Sequence, residues 1–283
     1  MKVWLDGRLV DKADAKVSVF DHGLLYGDGI FEGIRAYHGK IFECEAHLDR
    51  FFQSAKGIRL NVPLNREQLR AAMAETMKAN GFSDCYIRLV ATRGVGSLGL
   101  SPMRCEKPSV FVITDLLEMY PREMYEKGMS VITSAIIRNH PSAISPRVKS
   151  LNYLNNILAK LEAIDAGVPE AIMCNHEGNV AECTADNIFI VRAGQVQTPQ
   201  THDGILEGIT RRVMLDLCHK LQIPCIEKTL QRHDLYIADE CFLTGTGAEV
   251  VPVTRIDSRS IGAGQPGPIT LKLIEAFHRY TKE

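Results

Sequence analysis

Lys149-Ser-Leu-Asn-Tyr-Leu-Asn-Asn-Ile-Leu-Ala-Lys160 sets a lysine and a tyrosine about one helical turn apart, at the mouth of a helix. Most lysines are solvated surface charges. An amine held beside a phenol is nevertheless what Schiff-base chemistry on an aldehyde requires, and Lys149 and Tyr153 supply that pair. The helix carrying Tyr153 runs on to Gly167. Ahead of it lies an irregular segment, 140–148, broken by Pro141 and Pro146.

Working outward, the pattern predicts an α/β fold in two domains. Toward the N-terminus, Val3-Trp-Leu5, Asp6-Gly7 and Arg8-Leu-Val10 read as a hairpin, and so do 33–37, His38-Gly39 and 40–42. A helix comes next with Leu48, Phe51, Phe52, Ala55 and Ile58 on one face. The next helix starts after Asn65, buries Leu69, Met73 and Met77, and stops at Asn80-Gly81. Strands over 85–93 and 109–115 complete a smaller α+β N-terminal domain, 1–115. Residues 116–127 read as the interdomain loop. A larger β-rich C-terminal domain, 128–283, opens with a strand over 130–137 and alternates strands with short helices such as 210–221. It ends in a helix after Pro268 that buries Leu273, Phe277 and Tyr280.

Composition excludes several classes of function. Basic and acidic residues number 33 and 34 and are evenly spread, so no basic stripe awaits nucleic acid or anionic lipid. No apolar run approaches a membrane span. The eight cysteines form no Cys-x-x-Cys pair, and neither a signal peptide nor a glycosylation sequon is read, so reduced thiols and a cytoplasmic location are expected. The nine histidines lack metal-ligand spacing, and no metal is expected. Gly94-Val-Gly-Ser-Leu-Gly99 fits G-x-G-x-x-G, but Pro102 and Pro108 interrupt the residues downstream of it. A dinucleotide site needs a helix N-terminus there, so the segment reads as a loop.

The remaining candidates match the parts that an aldehyde cofactor carrying a phosphate and a pyridine ring would need. Glu182 can face the ring nitrogen, although alone it reads as a turn glutamate, with Asn187 as a turn residue or a brace for its loop. Gly208-Ile209-Thr210 opens a helix and offers amides and a hydroxyl to a phosphate. Gly245-Thr246-Gly247 forms a second backbone cradle, and Arg50, off the apolar face of its helix, either reaches a phosphate or stands in solvent. Tyr86 and Arg88, two apart on a strand, share a face suited to a substrate carboxylate.

With these residues in view, the chain resembles the class IV (fold type IV) pyridoxal-phosphate aminotransferases from end to end, the branched-chain amino-acid branch most of all. The resemblance is carried by Tyr26-Gly-Asp-Gly-Ile-Phe-Glu-Gly-Ile-Arg35, His47-Leu-Asp-Arg50, Tyr86-Ile-Arg88, the Lys149 stretch, Glu182-Cys-Thr-Ala-Asp-Asn187, Gly208-Ile-Thr210 and Leu243-Thr-Gly-Thr-Gly-Ala-Glu-Val-Val-Pro-Val253. It implies pyridoxal 5'-phosphate held between the domains. Lys149 would then be the aldimine lysine, Tyr153 the partner of the cofactor's phenolic oxygen and Glu182 that of the pyridine nitrogen. Arg50, Ile209, Thr210 and Thr246 would hold the phosphate. Tyr86, Thr246, Gly247 and Ala248 would take the substrate α-carboxylate, while Phe31 and Gly33 line the side-chain pocket. Arg88, with Arg35 and Tyr120 in the substrate set, would serve the distal carboxylate of glutamate. Tyr26, Leu98 and Leu100 would complete the pocket of a partner subunit, implying an obligate homodimer or larger homo-oligomer.

The expected activity is reversible transfer of the amino group of L-leucine, L-isoleucine or L-valine to 2-oxoglutarate. The shorter Lys-Ser-Leu-Asn spacing is also similar to D-amino-acid transaminases, and an aminodeoxychorismate lyase or (R)-amine transaminase shares the fold. A cofactor-retaining binding protein would have lost the lysine, tyrosine or glutamate, and all three are present. A lyase acting through Lys149 without a cofactor leaves the phosphate-cradling segments without a purpose.

Overall fold

Asp6 and Gly7 both adopt positive φ, 46° and 97°, the backbone of a tight two-residue hairpin turn, and they fold β1 (Lys2–Leu5) onto β2 (Arg8–Asp11). The computed structural model describes residues 1–282 and groups them into two units, Met1–Leu117 with Val148–Asn152, and Glu118–Arg147 with the residues from Tyr153 onward. The first unit continues through α1 (His22–Tyr26), β3 (Gly29–Tyr37), β4 (Lys40–Ile41), α2 (Cys44–Gly57), α3 (Arg66–Asn80), β5 (Cys85–Thr92) and β6 (Ser109–Asp115). Its strands form one antiparallel sheet in the order β2-β1-β6-β5-β3-β4.

Helices α2 and α3 lie where the apolar spacing predicts. α3 starts on a capping box in which Asn65 accepts from the Gln68 amide and Gln68 answers to the Asn65 amide, and it stops at Gly81, whose φ of 70° suits a residue without Cβ. Leu48 and Phe51 of α2 and Leu69 and Met73 of α3 are fully buried against Ile30, Ile34, Ile87 and Leu89 of the sheet. Each such side chain contributes about 1.5–3 kcal/mol of hydrophobic stabilisation. Phe52 and Ile58 are only partly buried at the margin of this core.

The second unit comprises α4 (Arg122–Lys127), β7 (Met129–Thr133), α5 (Leu154–Asp165), β8 (Glu170–Cys174), β9 (Val180–Cys183), β10 (Asn187–Arg192), β11 (Gln195–Thr198), α6 (Ile209–Lys220), β12 (Cys225–Glu227), α7 (Arg232–Tyr236), β13 (Glu240–Gly245), β14 (Glu249–Ile256), β15 (Arg259–Ser260) and α8 (Pro268–Tyr280). The sheet runs β12-β11-β10-β13-β14-β7-β8-β9, with β15 paired to β14. β7 lies parallel to both β14 and β8, and the fully buried runs of β8 and β10 are what a sheet covered on both faces requires.

Three expectations are redrawn. Residues 116–127 are not all loop, because Arg122–Lys127 is helical and packs on β14. The strand expected over 130–137 ends at Thr133, where Asp257 takes the Thr133 amide and hydroxyl. Lys149 lies outside the helix that Tyr153 precedes, so no helical turn joins the two. Instead, Val148–Asn152 packs with the first unit, the Phe31 amide donates to Lys149 O at 3.0 Å and the Leu151 amide to Gly29 O at 2.9 Å, while Tyr153 caps α5. Among the described residues no helix is long and apolar enough to cross a membrane.

Candidate active site

Antiparallel pairing puts Gly33 opposite Arg88 and Arg35 opposite Tyr86. Facing residues, and alternate residues along a strand, project on one side of a sheet, so Phe31, Gly33, Arg35, Tyr86 and Arg88 stand on one face. There Arg88 Nη2 donates to the Tyr86 hydroxyl at 2.9 Å, and its guanidinium lies 4.5 Å from the centroid of the Phe31 ring. Lys149 Nζ lies over the same ring, also at 4.5 Å. A Cβ on Gly33 would stand 2.1 Å from the Tyr86 oxygen, so glycine is what allows the phenol to cross β3. One apolar ring flanked by an amine, a guanidinium and a phenol can accommodate an apolar group and an anion side by side.

The opposite face of β3 looks into the core, yet Glu32 lies there among Ile30 and Ile34 and is fully buried. Arg50 answers it with Nε to Oε1 at 2.8 Å and Nη2 to Oε2 at 2.7 Å, and His47 Nδ1 lies 2.7 Å from Oε2. Burial by itself would raise the Glu32 carboxyl, but the Arg50 guanidinium and then the His47 ring outweigh it and hold it down at about 2. Burial lowers the His47 imidazole, against the pull of Glu32. Arg50 is therefore not a solvent-facing charge: it is buried, with one edge of its fork fixed. One turn further along α2, Ser54 Oγ accepts from the Lys149 amide at 3.1 Å, so the backbone of the lysine is held by both α2 and β3.

Tyr26 ends α1, and its hydroxyl accepts from the Gly99 amide at 3.0 Å. That bond ties Tyr26 to the loop bearing Leu98 and Leu100, which are 62% and 83% exposed. Gly94 and Gly99 turn within this loop, and a short 3-10 turn rather than an α-helix comes after it, as a non-nucleotide reading of the segment requires.

In the second unit, Glu182 is a strand residue of β9, not a turn glutamate, and it is 5% exposed. Its Oε1 accepts from Arg138 Nε at 2.8 Å; its Oε2 accepts from Asn187 Nδ2 at 3.0 Å and from the Leu206 amide at 2.9 Å. Asn187 also donates to Leu206 O, so of its two readings, turn residue or brace, these bonds make it a brace for the segment that leads into α6. Helix α6 opens at Gly208 without a side-chain cap, and the Thr210 hydroxyl is buried without a hydrogen-bond partner. A Cβ on Gly208 would come 2.0 Å from Asn187 Oδ1, and one on Gly245 1.9 Å from Asp186 Oδ1. Uncapped amides at a helix start, an unsatisfied hydroxyl and close-packed glycines fit a phosphate group. Thr246, Gly247 and Ala248 form the turn between β13 and β14, with Ala248 buried.

Tyr120, expected in the substrate set, turns its hydroxyl toward buried carboxylates. It is 4% exposed in the second core, with its hydroxyl 3.1 Å from Asp186 Oδ2 and 3.4 Å from Glu170 Oε2. Two buried carboxylates hold that hydroxyl inward. Burial, and then the charge of Glu170, push the Asp186 carboxyl up to about 7, and burial raises Tyr120 as well. No group of three or more His, Cys, Asp or Glu side chains placed to hold a metal occurs among the described residues.

The roles of Arg138, His47 and Glu32 are not legible in the sequence pattern. Arg138 sits in an irregular stretch with no local signal. Glu32 does leave one, a lone charge at the same strand parity as Ile30 and Ile34, which calls for a buried partner.

Comparison with known proteins gives a consistent result. The family model described as amino-transferase class IV matches residues 29–256. A provisionally named branched-chain-amino-acid aminotransferase of Methanocaldococcus jannaschii is 50% identical over 98% of this chain and 95% of its own length. The branched-chain-amino-acid aminotransferase of Pseudomonas aeruginosa is 38% identical over 97% and 91%. A D-alanine aminotransferase of Listeria monocytogenes is 37% identical over 98% and 95%. Among solved structures, the branched-chain aminotransferase of Thermoproteus uzoniensis with norvaline superposes with a TM-score of 0.93 at 43% identity, covering 99% of this chain and 94% of that one. The branched-chain amino acid aminotransferase of Escherichia coli does so with a TM-score of 0.96 at 33% identity, covering 98% and 93%. A further branched-chain aminotransferase, complexed with N-(5'-phosphopyridoxyl)-L-glutamate, superposes with a TM-score of 0.93 at 38% identity, covering 99% and 93%.

Proposed function

On the premise that this chain belongs to the class IV aminotransferase family and is a pyridoxal phosphate-dependent transaminase, we propose that it exchanges amino groups between L-leucine, L-isoleucine or L-valine and 2-oxoglutarate. The observation that carries this reading is the Phe31 ring with Arg88 and Lys149 each 4.5 Å from its centroid. The ring suits a branched apolar side chain, and the guanidinium suits the distal carboxylate of the dicarboxylic partner.

Bound pyridoxal phosphate supplies an aldehyde that condenses with amines and a ring that takes up the electron pair released at the substrate Cα. Lys149 anchors the cofactor and carries the proton between Cα and the cofactor's C4′. Tyr153 hydrogen-bonds the ring oxygen, and Glu182 faces the ring nitrogen. Arg50, Ile209, Thr210 and Thr246 hold the phosphate, a role supported by the uncapped start of α6 and the unsatisfied Thr210 hydroxyl. Tyr86, Gly247 and Ala248 take the α-carboxylate, with Phe31 and Gly33 as the apolar wall and Arg88 and Arg35 as the cations. Tyr26, Leu98 and Leu100 complete the pocket of a second subunit in a cytoplasmic homodimer, a role supported by the exposure of both leucines.

The second reading, transamination of D-amino acids, is favoured by the 37% identity to a D-alanine aminotransferase. The visible spectrum of the purified protein with pyridoxal phosphate separates the two. Bleaching of the yellow band by L-leucine and not by D-alanine is the expected result. Bleaching by D-alanine alone moves the chain to the D-amino-acid branch, and a protein that never acquires the band is not an enzyme of this kind.

A further inference from the structure

We infer that Arg138 is a positioning residue that keeps Glu182 ionised and fixes its carboxylate for the ring nitrogen. The inference depends on Glu182 facing that nitrogen, as proposed. Three groups donate to the Glu182 carboxylate: Arg138 Nε at 2.8 Å, Asn187 Nδ2 at 3.0 Å and the Leu206 amide at 2.9 Å. None of these donors can accept a proton from a neutral Glu182, whereas an ionised carboxylate satisfies all three.

Arg138 also distinguishes Glu182 from the acidic residues near it, because its Nε donates to Glu182 Oε1. Glu170, Glu182 and Asp186 are all buried, and the charges of Glu170 and Glu182 both raise Asp186 while that of Lys160 lowers it. Like charges in a buried cluster disfavour one another's ionisation. Asp186, whose carboxylate meets the Tyr120 hydroxyl rather than a guanidinium, is the one pushed upward, while Glu182 has a full cation against it with both side chains 7% exposed. The guanidinium is anchored in turn. Its Nη1 donates to Asn139 Oδ1 at 2.8 Å and Asn156 Oδ1 at 3.3 Å, and Asn156 Nδ2 donates to Thr184 O at 2.7 Å. The Arg138 amide donates to Cys174 O at 2.8 Å. Arg138 reaches the cofactor only through Glu182, which makes it a positioning and not a catalytic residue.

A double-mutant cycle on the holoenzyme tests this, using Arg138→Gln, Glu182→Gln and the pair, with Arg138→Lys as the conservative variant. The readouts are kcat for L-leucine and the pH titration of the visible band of bound pyridoxal phosphate. Arg138→Gln is expected to lower kcat by about 10- to 100-fold, the weight of one hydrogen bond to a charged group. It is also expected to shift the midpoint of the spectroscopic titration, and Arg138→Lys should restore part of both. On the Glu182→Gln background, Arg138→Gln should cost no more than about twofold, since the group it acts through is already neutral. Additive losses, or an unshifted titration in Arg138→Gln, overturn the inference. Should Arg138→Gln fail to fold, Asn156→Ala keeps the charge and loosens its anchor. A smaller shift in the same direction supports the inference and no shift overturns it. A parent protein that acquires no visible band with pyridoxal phosphate overturns the functional reading itself, and this inference with it. A parent that transaminates, with an additive cycle, overturns this inference alone.

Discussion

Glu32 meets Arg50 edge-on, Oε1 to Nε at 2.8 Å and Oε2 to Nη2 at 2.7 Å, on the face of β3 opposite to Phe31 and Gly33. One strand thus divides its work by parity. Odd positions face the amine of Lys149 and the guanidinium of Arg88, and the even position 32 grips the arginine proposed to hold the phosphate. A bidentate fork fixes the plane of the guanidinium, which a lysine at position 50 could not reproduce.

Glu32→Gln is expected to leave the Arg50 charge buried without its counter-ion, costing about 3–5 kcal/mol of stability. Urea denaturation measures this, and titration of the apoprotein with pyridoxal phosphate should show an affinity weaker by about tenfold or more. Stability and affinity both equal to those of the parent would remove the pair from the phosphate site.

Buried carboxylates give this protein two opposed dependences on pH. Glu32, held at about 2, contributes stability above its unfolded value that is lost as pH falls toward 2. Asp186, raised to about 7, contributes stability that is complete below its unfolded value near 4 and is lost as pH rises through 7. His47, lowered by burial, loses stability as pH falls below its ordinary range and so opposes Asp186 in that window. The difference between Asp186→Asn and the parent isolates the aspartate. The variant should gain relative stability between pH 4 and 7, by on the order of a few kcal/mol, with the acid limb unchanged. Urea midpoints for both proteins at pH 4.5 and 7.5 decide it, and parallel profiles would contradict the assignment.

Arg88→Leu separates the two halves of the reaction. The guanidinium is proposed to serve only the distal carboxylate, so KM for 2-oxoglutarate should rise by about 10- to 100-fold while the half-reaction with L-leucine changes little. Equal losses for both substrates would instead assign Arg88 to a general structural role through the Tyr86 hydroxyl.

Lys149→Ala should fold, because what the first unit holds at this position is backbone: Phe31 N to Lys149 O, and the Lys149 amide to Ser54 Oγ. Transamination is expected to fall by about 10⁴-fold or more with loss of the amine proposed as the general acid-base group. Thermal unfolding within a few degrees of the parent, together with absent turnover, is the result that checks both halves of this statement.

The local physics of the fold is legible along the chain. The Asp6-Gly7 hairpin, the Asn65 capping box, the Gly81 stop and the alternation that places Tyr86 and Arg88 on one face each depend on residues within a few positions of one another. The proposed site rests on residue types in short motifs, Lys149, Tyr153, Glu182 and Gly208-Ile209-Thr210, which the sequence displays directly. It is not legible where a side chain's environment comes from distant segments. Helix position alone leaves Arg50 between phosphate contact and solvent, and Glu32, eighteen residues away, decides its burial. Tyr120 reads as facing substrate, but Asp186 and Glu170 hold its hydroxyl in the core.

Alone, the sequence determined the first hairpin turn, the caps of α3, the amphipathic faces of α2 and α3 and the kind of chemistry available, because propensity, periodicity and functional-group identity are local properties. Tertiary structure decided which charges are buried and what pairs with them: Glu32 with Arg50, Glu182 with Arg138, and Asp186 with Tyr120 rather than with a cation. It also detached Val148–Asn152 from the helix after it and packed it with β3 and α2. Those choices depend on desolvation and on long-range strand pairing, whose energies are set by neighbours far away in the chain.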